Sequence, residues 1–243
     1  MRIFSDLSIL GHYTNYIFIS PHLDDAILSA AALIYDLKDK GKVKIITVFT
    51  ETSKKNNATI RDFTKSCHHL NSRELFLDRR TEDKKICQYL KINYLHLGFI
   101  DALWRDSYNS IEEVFTNKIN NTKKEQDLEK SIISKLKKII KNNKNTVIFA
   151  PLSIGNHIDH RIINKICRDN YMNVIYWEDY PYNLRSGLSE ELVKKNSLSS
   201  FEFNKNLIVK AKLIRFYKSQ IFTLFTDKPI LLKKERYYFK QDH

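Results

Sequence analysis

Short, nearly continuous apolar runs alternate with longer amphipathic stretches through most of the chain. That is the pattern of strands buried on both faces and separated by helices. The first run is Tyr16-Ile17-Phe18-Ile19-Ser20, and a helix is predicted after it through Ala30, Leu33 and Leu37 to about Lys40. Asp24 or Asp25 can cap the start of that helix, and Gly41 can end it. Val43 to Phe49 reads as the next strand, so the chain opens with a β-α-β unit whose strands are parallel and whose crossover is right-handed. Further strands are predicted at Tyr94 to Leu97, Thr146 to Ala150 and Val174 to Trp177, with a last one around Arg236 to Phe239. Helices are predicted over much of Leu75 to Leu90, over Glu125 to Asn143, from about Asp159 to Arg168, and near Asn204 to Ser219. Thr50 to about Phe63 is polar and reads as irregular.

The alternation predicts an α/β fold: a Rossmann-like, open, mostly parallel, doubly wound sheet with helices on both faces. A single domain spanning residues 1–243 is expected, because no repeat, low-complexity tract or boundary interrupts the pattern, and 5 Gly and 4 Pro leave little for long linkers. Ligands of such sheets bind beyond the carboxyl ends of the strands, where strand order reverses.

Two polar clusters sit at such strand ends. Pro21-His22-Leu23-Asp24-Asp25 follows the first strand, and His157-Ile158-Asp159-His160 follows the fourth. Taken singly, the first reads as a helix cap beside an imidazole and the second as a pair of surface histidines. Together they supply what a catalytic metal needs, three protein ligands with one position left for water, and His22, Asp25 and His160 could form that set. Asp24 and His157 are then left over. A carboxylate beside an activated water can serve as general base, and a histidine can steady an oxyanion or protonate a leaving amine. If the first and fourth strands are neighbours, both clusters face one crevice. Asp101 is a further crevice candidate, whereas His12, His68, His69 and His96 read as packed or surface residues. Tyr176, Trp177, Tyr180 and Tyr182 read equally as a sugar-stacking wall or as core and rim.

Charge and cysteines narrow the setting. The formal net charge is +13, but many lysines lie on amphipathic stretches such as Lys135-Leu136-Lys137-Lys138-Ile139-Ile140-Lys141, which reads as a solvated helix face. No basic-aromatic motif accompanies the charge, so nucleic acid is not the expected partner. Cys67, Cys87 and Cys167 form neither a disulfide framework nor a CxxC pair. A cytoplasmic protein is expected, without a signal-peptide run or a membrane span. The sequence leaves its oligomeric state open, a homo-oligomer included.

The segment Ser20-Pro21-His22-Leu23-Asp24-Asp25-Ala26, with the Ala-rich helix and strand that follow, resembles the opening of the LmbE-like, or PIG-L, deacetylases. Gly155-Asn156-His157-Ile158-Asp159-His160-Arg161 resembles that family's second motif. Arg79-Arg80-Thr81-Glu82 is similar to its Arg-x-x-Glu helix, Trp104-Arg105-Asp106-Ser107 to a substrate-side segment of some members, and Glu178 to Tyr182 and Tyr217 to Gln220 to late segments of one branch. The resemblance implies a zinc-dependent hydrolase (Fe2+ being another divalent ion it would accept) that removes acetyl from an N-acetylglucosamine-type sugar or small sugar conjugate. It further implies His22, Asp25 and His160 as metal ligands, Asp24 as general base, His157 as oxyanion stabiliser, and Arg79 and Asp106 as sugar contacts. There are departures. Leu23 and Ala26 stand where many members have Pro and Glu, Ser29-Ala30-Ala31-Ala32 replaces a usual Gly-Gly pair, and Gly155 takes the place of a tyrosine that aids the oxyanion in some members.

Two other readings compete. His22-Leu23-Asp24 is an HxD that a distant histidine could complete to the triad of an Fe(II) oxygenase, a site usually built on an antiparallel β fold. A non-catalytic basic module binding nucleic acid is the other, and it would bind with a steep salt dependence.

Overall fold

The computed structural model describes residues 3–4, 10–116, 122–185, 198–225, 230–231 and 233–240. Its strands are β1 (Ile3–Phe4), β2 (Asn15–Ser20), β3 (Lys42–Glu51), β4 (Asn93–Ile100), β5 (Thr146–Pro151), β6 (Val174–Trp177), β7 (Leu198–Phe203) and β8 (Glu235–Lys240). The helices are α1 (Asp25–Leu37), α2 (Ala58–Ser66), α3 (Ser72–Leu90), α4 (Ile111–Val114), α5 (Lys123–Ile139), α6 (Ile158–Asn170), α7 (Leu207–Ile214) and α8 (Lys218–Phe225), with short 3-10 turns at Ala102–Trp104 and Tyr182–Leu184.

The strands form one sheet in the order β1-β7-β8-β6-β5-β2-β3-β4. β2 pairs in parallel with β3 on one side and with β5 on the other. Among the described strands only β8 runs the other way, antiparallel to β6 and β7. The order reverses between β2 and β5, so the expected switch point is where the two motif-bearing strands meet. Both are buried on both faces, as their apolar runs require: Phe18 and Phe149 are register partners with stacked rings 4.4 Å apart. Successive residues feed opposite core layers, Phe18, Ile45, Phe149 and α1 on one face, Ile19, Ile46, Ile148, α5 and α6 on the other. The Fe(II)-oxygenase reading loses its footing here, because the sheet that carries the motifs is parallel.

Several expectations shift at the edges. The stretch read as irregular contains α2, a nine-residue helix in which only Ile60 and Thr64 are buried and which the Asn57 side chain caps by accepting from the Ile60 N–H. Two buried positions make a weak periodic signal. β7 was not anticipated; it pairs with β8, which covers the strand predicted at Arg236 to Phe239. The late helix is two, α7 and α8, divided where Phe216 and Tyr217 donate to Leu213 and Ile214 three residues back. The helix expected to reach Asn143 ends at Ile139. Among the described residues no helix is long and apolar enough to cross a membrane.

A buried ion pair ties β8 to the helix that carries half the site. The Glu235 carboxylate accepts from the Ala32 and Leu33 N–H groups at 2.9 and 3.0 Å, inside α1, and lies 3.0 Å from Lys210 Nζ. Lys210 in turn donates to the Ser29 carbonyl, at 3.1 Å. The small residues Ser29-Ala30-Ala31-Ala32 leave room for this approach. Glu235→Ala strands a buried ammonium and two N–H groups, and it is expected to lower unfolding stability by about 3–5 kcal/mol, read as a fall in the urea midpoint. An unchanged midpoint would show that the pair carries no net stabilisation.

Candidate active site

The turn after β2 folds on itself. Ser20 Oγ donates to the His22 carbonyl and accepts from the Ala26 N–H, at 2.7 and 3.0 Å, and so does the work of a helix cap. Asp24 occupies the N-cap position of α1, yet its carboxylate makes no cap hydrogen bond. Asp25 Oδ2 accepts from the His22 N–H at 2.8 Å. The cap reading of these two aspartates therefore gives way: both carboxylates are left for the crevice. After β5 the chain passes through three positive-φ residues, Ser153, Gly155 and Asn156, into α6, whose N-cap is His157.

The two motifs meet as the topology demands. His22 Nδ1 and His160 Nε2 both lie 3.2 Å from Asp25 Oδ2. The other nitrogen of each ring is held by a buried carboxylate. His22 Nε2 is 3.1 Å from Asp159 Oδ2, and His160 Nδ1 is 2.7 Å from Asp179 Oδ1. Such outer partners fix which nitrogen presents its lone pair. His160 Nε2 is buried and makes no hydrogen bond. Donor atoms of His22, His157 and His160 also fall within 4.8 Å of one another, as do those of His22, Asp101 and Asp159.

The electrostatics favour positive charge at this point. Burial alone would strip His22 and His160 of protons, but Asp101, Asp159 and Asp25 draw His22 well above its usual value, and Asp25 and Asp179 raise His160 to about 9. Burial would also neutralise Asp25, but His160 and His22 hold it well below the usual carboxylate range. A cluster that attracts protons this way is also one that a divalent cation can enter by displacing them. Two imidazole nitrogens each 3.2 Å from one buried carboxylate oxygen, one of them without a hydrogen bond, are of the donor chemistry that fits such an ion. Asp179→Asn is expected to weaken zinc affinity 10- to 100-fold, measured by competition with a chromophoric chelator; unaltered affinity would remove Asp179 from any part in holding His160.

Asp24 and His157 flank the cluster. Burial pushes the Asp24 carboxyl up to about 6, against the pull of Arg79, whose Nη2 is 3.5 Å from Asp24 Oδ1. Burial, with His22 beside it, lowers His157 well below its usual value, so this ring is neutral. Its Nδ1 accepts from the Asp159 N–H at 3.2 Å, which leaves the ring proton on Nε2 as a donor. His22, Asp24, Asp25, Arg79, Asp101 and His157 all line one crevice with an empty volume of about 880 Å³.

Of the two expected sugar contacts, the structure brings only Arg79 to this crevice. Asp106 lies outside it, with its side chain 79% exposed and 3.6 Å from Lys124 Nζ. The chain turns over Arg105 to Tyr108, where the Tyr108 N–H donates to the Arg105 carbonyl at 3.3 Å, and it is the Arg105 side chain that lies inside, 2.7 Å from Asp159 Oδ1. Asp101 is in the crevice, 3.5 Å from His22 Nε2. His96 and His69 pair with Asp83 and Asp78 instead. All three cysteines are free and buried.

Sequence reasoning missed the roles of two residues. Asp159 was visible inside its motif, but nothing marked it as the partner of His22. Asp179 carries no spacing signal at all. Tyr182, read equally as part of a sugar-stacking wall or as core and rim, lines the crevice. A Cβ added at Gly155, where φ is +88°, would come within 3.0 Å of the Tyr182 ring, so the glycine is what allows that ring its place.

Comparison with known proteins finds solved structures of the same fold. The chain resembles the zinc-inhibited form of teicoplanin deacetylase Orf2, at 20% identity and a TM-score of 0.76, with 94% of this chain and 99% of that one covered. It resembles the A40926 pseudoaglycone deacetylase Dbv21 at 20% identity and a TM-score of 0.68, covering 93% and 96%. The N,N'-diacetylchitobiose deacetylase of Pyrococcus horikoshii is more distant, at 16% identity and a TM-score of 0.51, covering 88% and 74%. No curated protein sequence matches. The family model described as PIG-L, GlcNAc-PI de-N-acetylase, matches residues 17–171, well over half of the chain and both motif-bearing strand ends, and the protein therefore belongs to the PIG-L, or LmbE-like, deacetylase family.

Proposed function

We propose that the protein is a divalent-metal-dependent N-deacetylase, with zinc the favoured ion, acting on an N-acetylated sugar or sugar conjugate. The observation that carries this reading is the convergence of His22 Nδ1 and His160 Nε2 on Asp25 Oδ2, with Asp24 and a neutral His157 on the crevice side. A cation held by His22, Asp25 and His160 would supply Lewis acidity, polarising the acetyl carbonyl and acidifying a water.

The residues of the chain do the rest. Asp24, ionised at neutral pH and engaged by no cap, accepts the proton of the attacking water. His157 donates its Nε2–H to the oxyanion that develops as the carbonyl becomes tetrahedral. Asp24, now protonated, delivers the proton to the leaving amine as the C–N bond breaks. Arg79 keeps Asp24 oriented and offers its remaining N–H groups to the sugar. Asp159 and Asp179 hold His22 and His160 in the rotamers that aim their lone pairs.

The reading is tested by amine release from a panel of N-acetylglucosamine conjugates. Activity is expected to vanish after chelation and to return with added zinc. Full turnover in a preparation verified as metal-free would sink it.

A further inference from the structure

The grip on His22 reaches well behind the crevice. Both oxygens of the Asp159 carboxylate are engaged. Oδ2 accepts from the Ala102 N–H at 2.9 Å and lies 3.1 Å from His22 Nε2. Oδ1 forms an ion pair with Arg105 Nη2 at 2.7 Å. The same guanidinium donates from Nε to Glu125 Oε1 at 3.2 Å and from Nη1 to the Ile100 carbonyl at 3.0 Å. Its centre lies 5.3 Å from the ring centres of both Phe49 and Tyr108. The backbone that carries it is fixed as well, since Lys55 Nζ donates to the Arg105 and Tyr108 carbonyls. A chain of contacts thus runs from α5 through Glu125, Arg105 and Asp159 to His22, and none of these side chains is more than 9% exposed.

His22 Nε2 has two carboxylates within reach. Asp101 Oδ2, on the crevice side, is 3.5 Å away, against 3.1 Å for Asp159 Oδ2. A carboxylate tied at one oxygen can still turn about its Cβ–Cγ bond, and it holds an imidazole loosely. One tied at both oxygens fixes the plane of the ring it faces. The Ala102 N–H supplies one tie and Arg105 the other.

We propose that Arg105 is a positioning residue for the metal centre. By pinning Asp159 Oδ1 it aims Asp159 Oδ2 at His22 Nε2, which presents His22 Nδ1 toward Asp25 Oδ2, 3.2 Å away, and leaves Asp101 to the crevice. This rests on the metal-dependent reading above. The role calls for arginine. A single ammonium cannot meet Asp159, Glu125 and the Ile100 carbonyl in the fixed directions of the guanidinium fork.

Arg105→Lys keeps the buried positive charge and loses the fork. Its zinc affinity, read by competition with a chromophoric chelator, is expected to fall about tenfold, the low end of what losing an imidazole's outer partner costs. The deciding measurement is a double-mutant cycle. In an Asp159→Asn background, Arg105→Lys should lower zinc affinity no further, because the group it acts through is gone. A general loosening of the fold would lower affinity by the same factor in both backgrounds. That result would overturn the proposal, as would an unchanged affinity in Arg105→Lys alone, which keeps the metal-dependent reading. If Arg105→Lys does not fold, Glu125→Gln, which leaves Arg105 and Asp159 paired, takes its place in the cycle with a smaller expected loss. A parent that binds no zinc removes the metal-dependent reading instead. The His22 Nε2–H proton resonance of metal-free, 15N-histidine-labelled protein then decides: a shift in the variant keeps Arg105 as the residue that positions His22, and an unmoved resonance discards it.

Discussion

Asp24→Ala is expected to lower kcat by roughly a thousandfold while leaving zinc binding and the fold intact, within the range a general base contributes. The reason for the large effect is local. Asp24 is the crevice carboxylate that holds neither imidazole, and its pKa of about 6 sets it near the range where a base works best at neutral pH. The reason for the small structural effect is equally local. Asp24 makes no helix-cap hydrogen bond, since Ser20 serves that end of α1. Arg79, deprived of Asp24, still has Asp101 Oδ2 at 4.0 Å. Metal content and a far-ultraviolet spectrum would check the second half of the expectation, and single-turnover amine release the first. Activity within tenfold of the parent would remove Asp24 from proton transfer.

His160→Ala is expected to abolish both metal binding and activity. Its Nε2 is a buried nitrogen without a hydrogen bond, aimed at Asp25, and Asp179 accepts the other ring nitrogen's proton at 2.7 Å. Nothing else among the described residues takes its place opposite His22 at Asp25 Oδ2. The informative readout is thermal. Zinc binding the native state raises the parent's melting temperature by mass action, and that rise should disappear in the variant, alongside loss of zinc after desalting. A variant that keeps a zinc-dependent rise would move the ion elsewhere, His22–Asp101–Asp159 being the other carboxylate-bearing set within reach.

Much of the fold was legible because fully buried parallel strands cannot hide. Runs such as Thr146–Pro151, buried at every position, leave no polar face to confuse the reading. The edges were not legible, for the converse reason. β7 is stabilised by pairing with β1 and β8, information that no single segment contains. In the site, His22, Asp24, Asp25, His157 and His160 stood out because two strand ends each carried several chemical groups within a few residues. Asp106 came from the resemblance alone, and the structure turns its neighbour Arg105 inward instead.

The sequence by itself determined the alternation of strands and helices, and the two clusters of metal-ligating and proton-transferring side chains at strand ends. Those follow from local periodicity and from residue chemistry. Only the tertiary structure decided that β2 and β5 are neighbours, that Asp159 and Asp179 hold the two imidazoles, and that Tyr182 fills the space over Gly155. Each of these joins groups distant in sequence, from 19 residues apart for His160 and Asp179 to 137 for His22 and Asp159. Their meeting is set by the packing of helices on a twisted sheet, which buries the carboxylates and shifts the protons, and no stretch of chain encodes it alone.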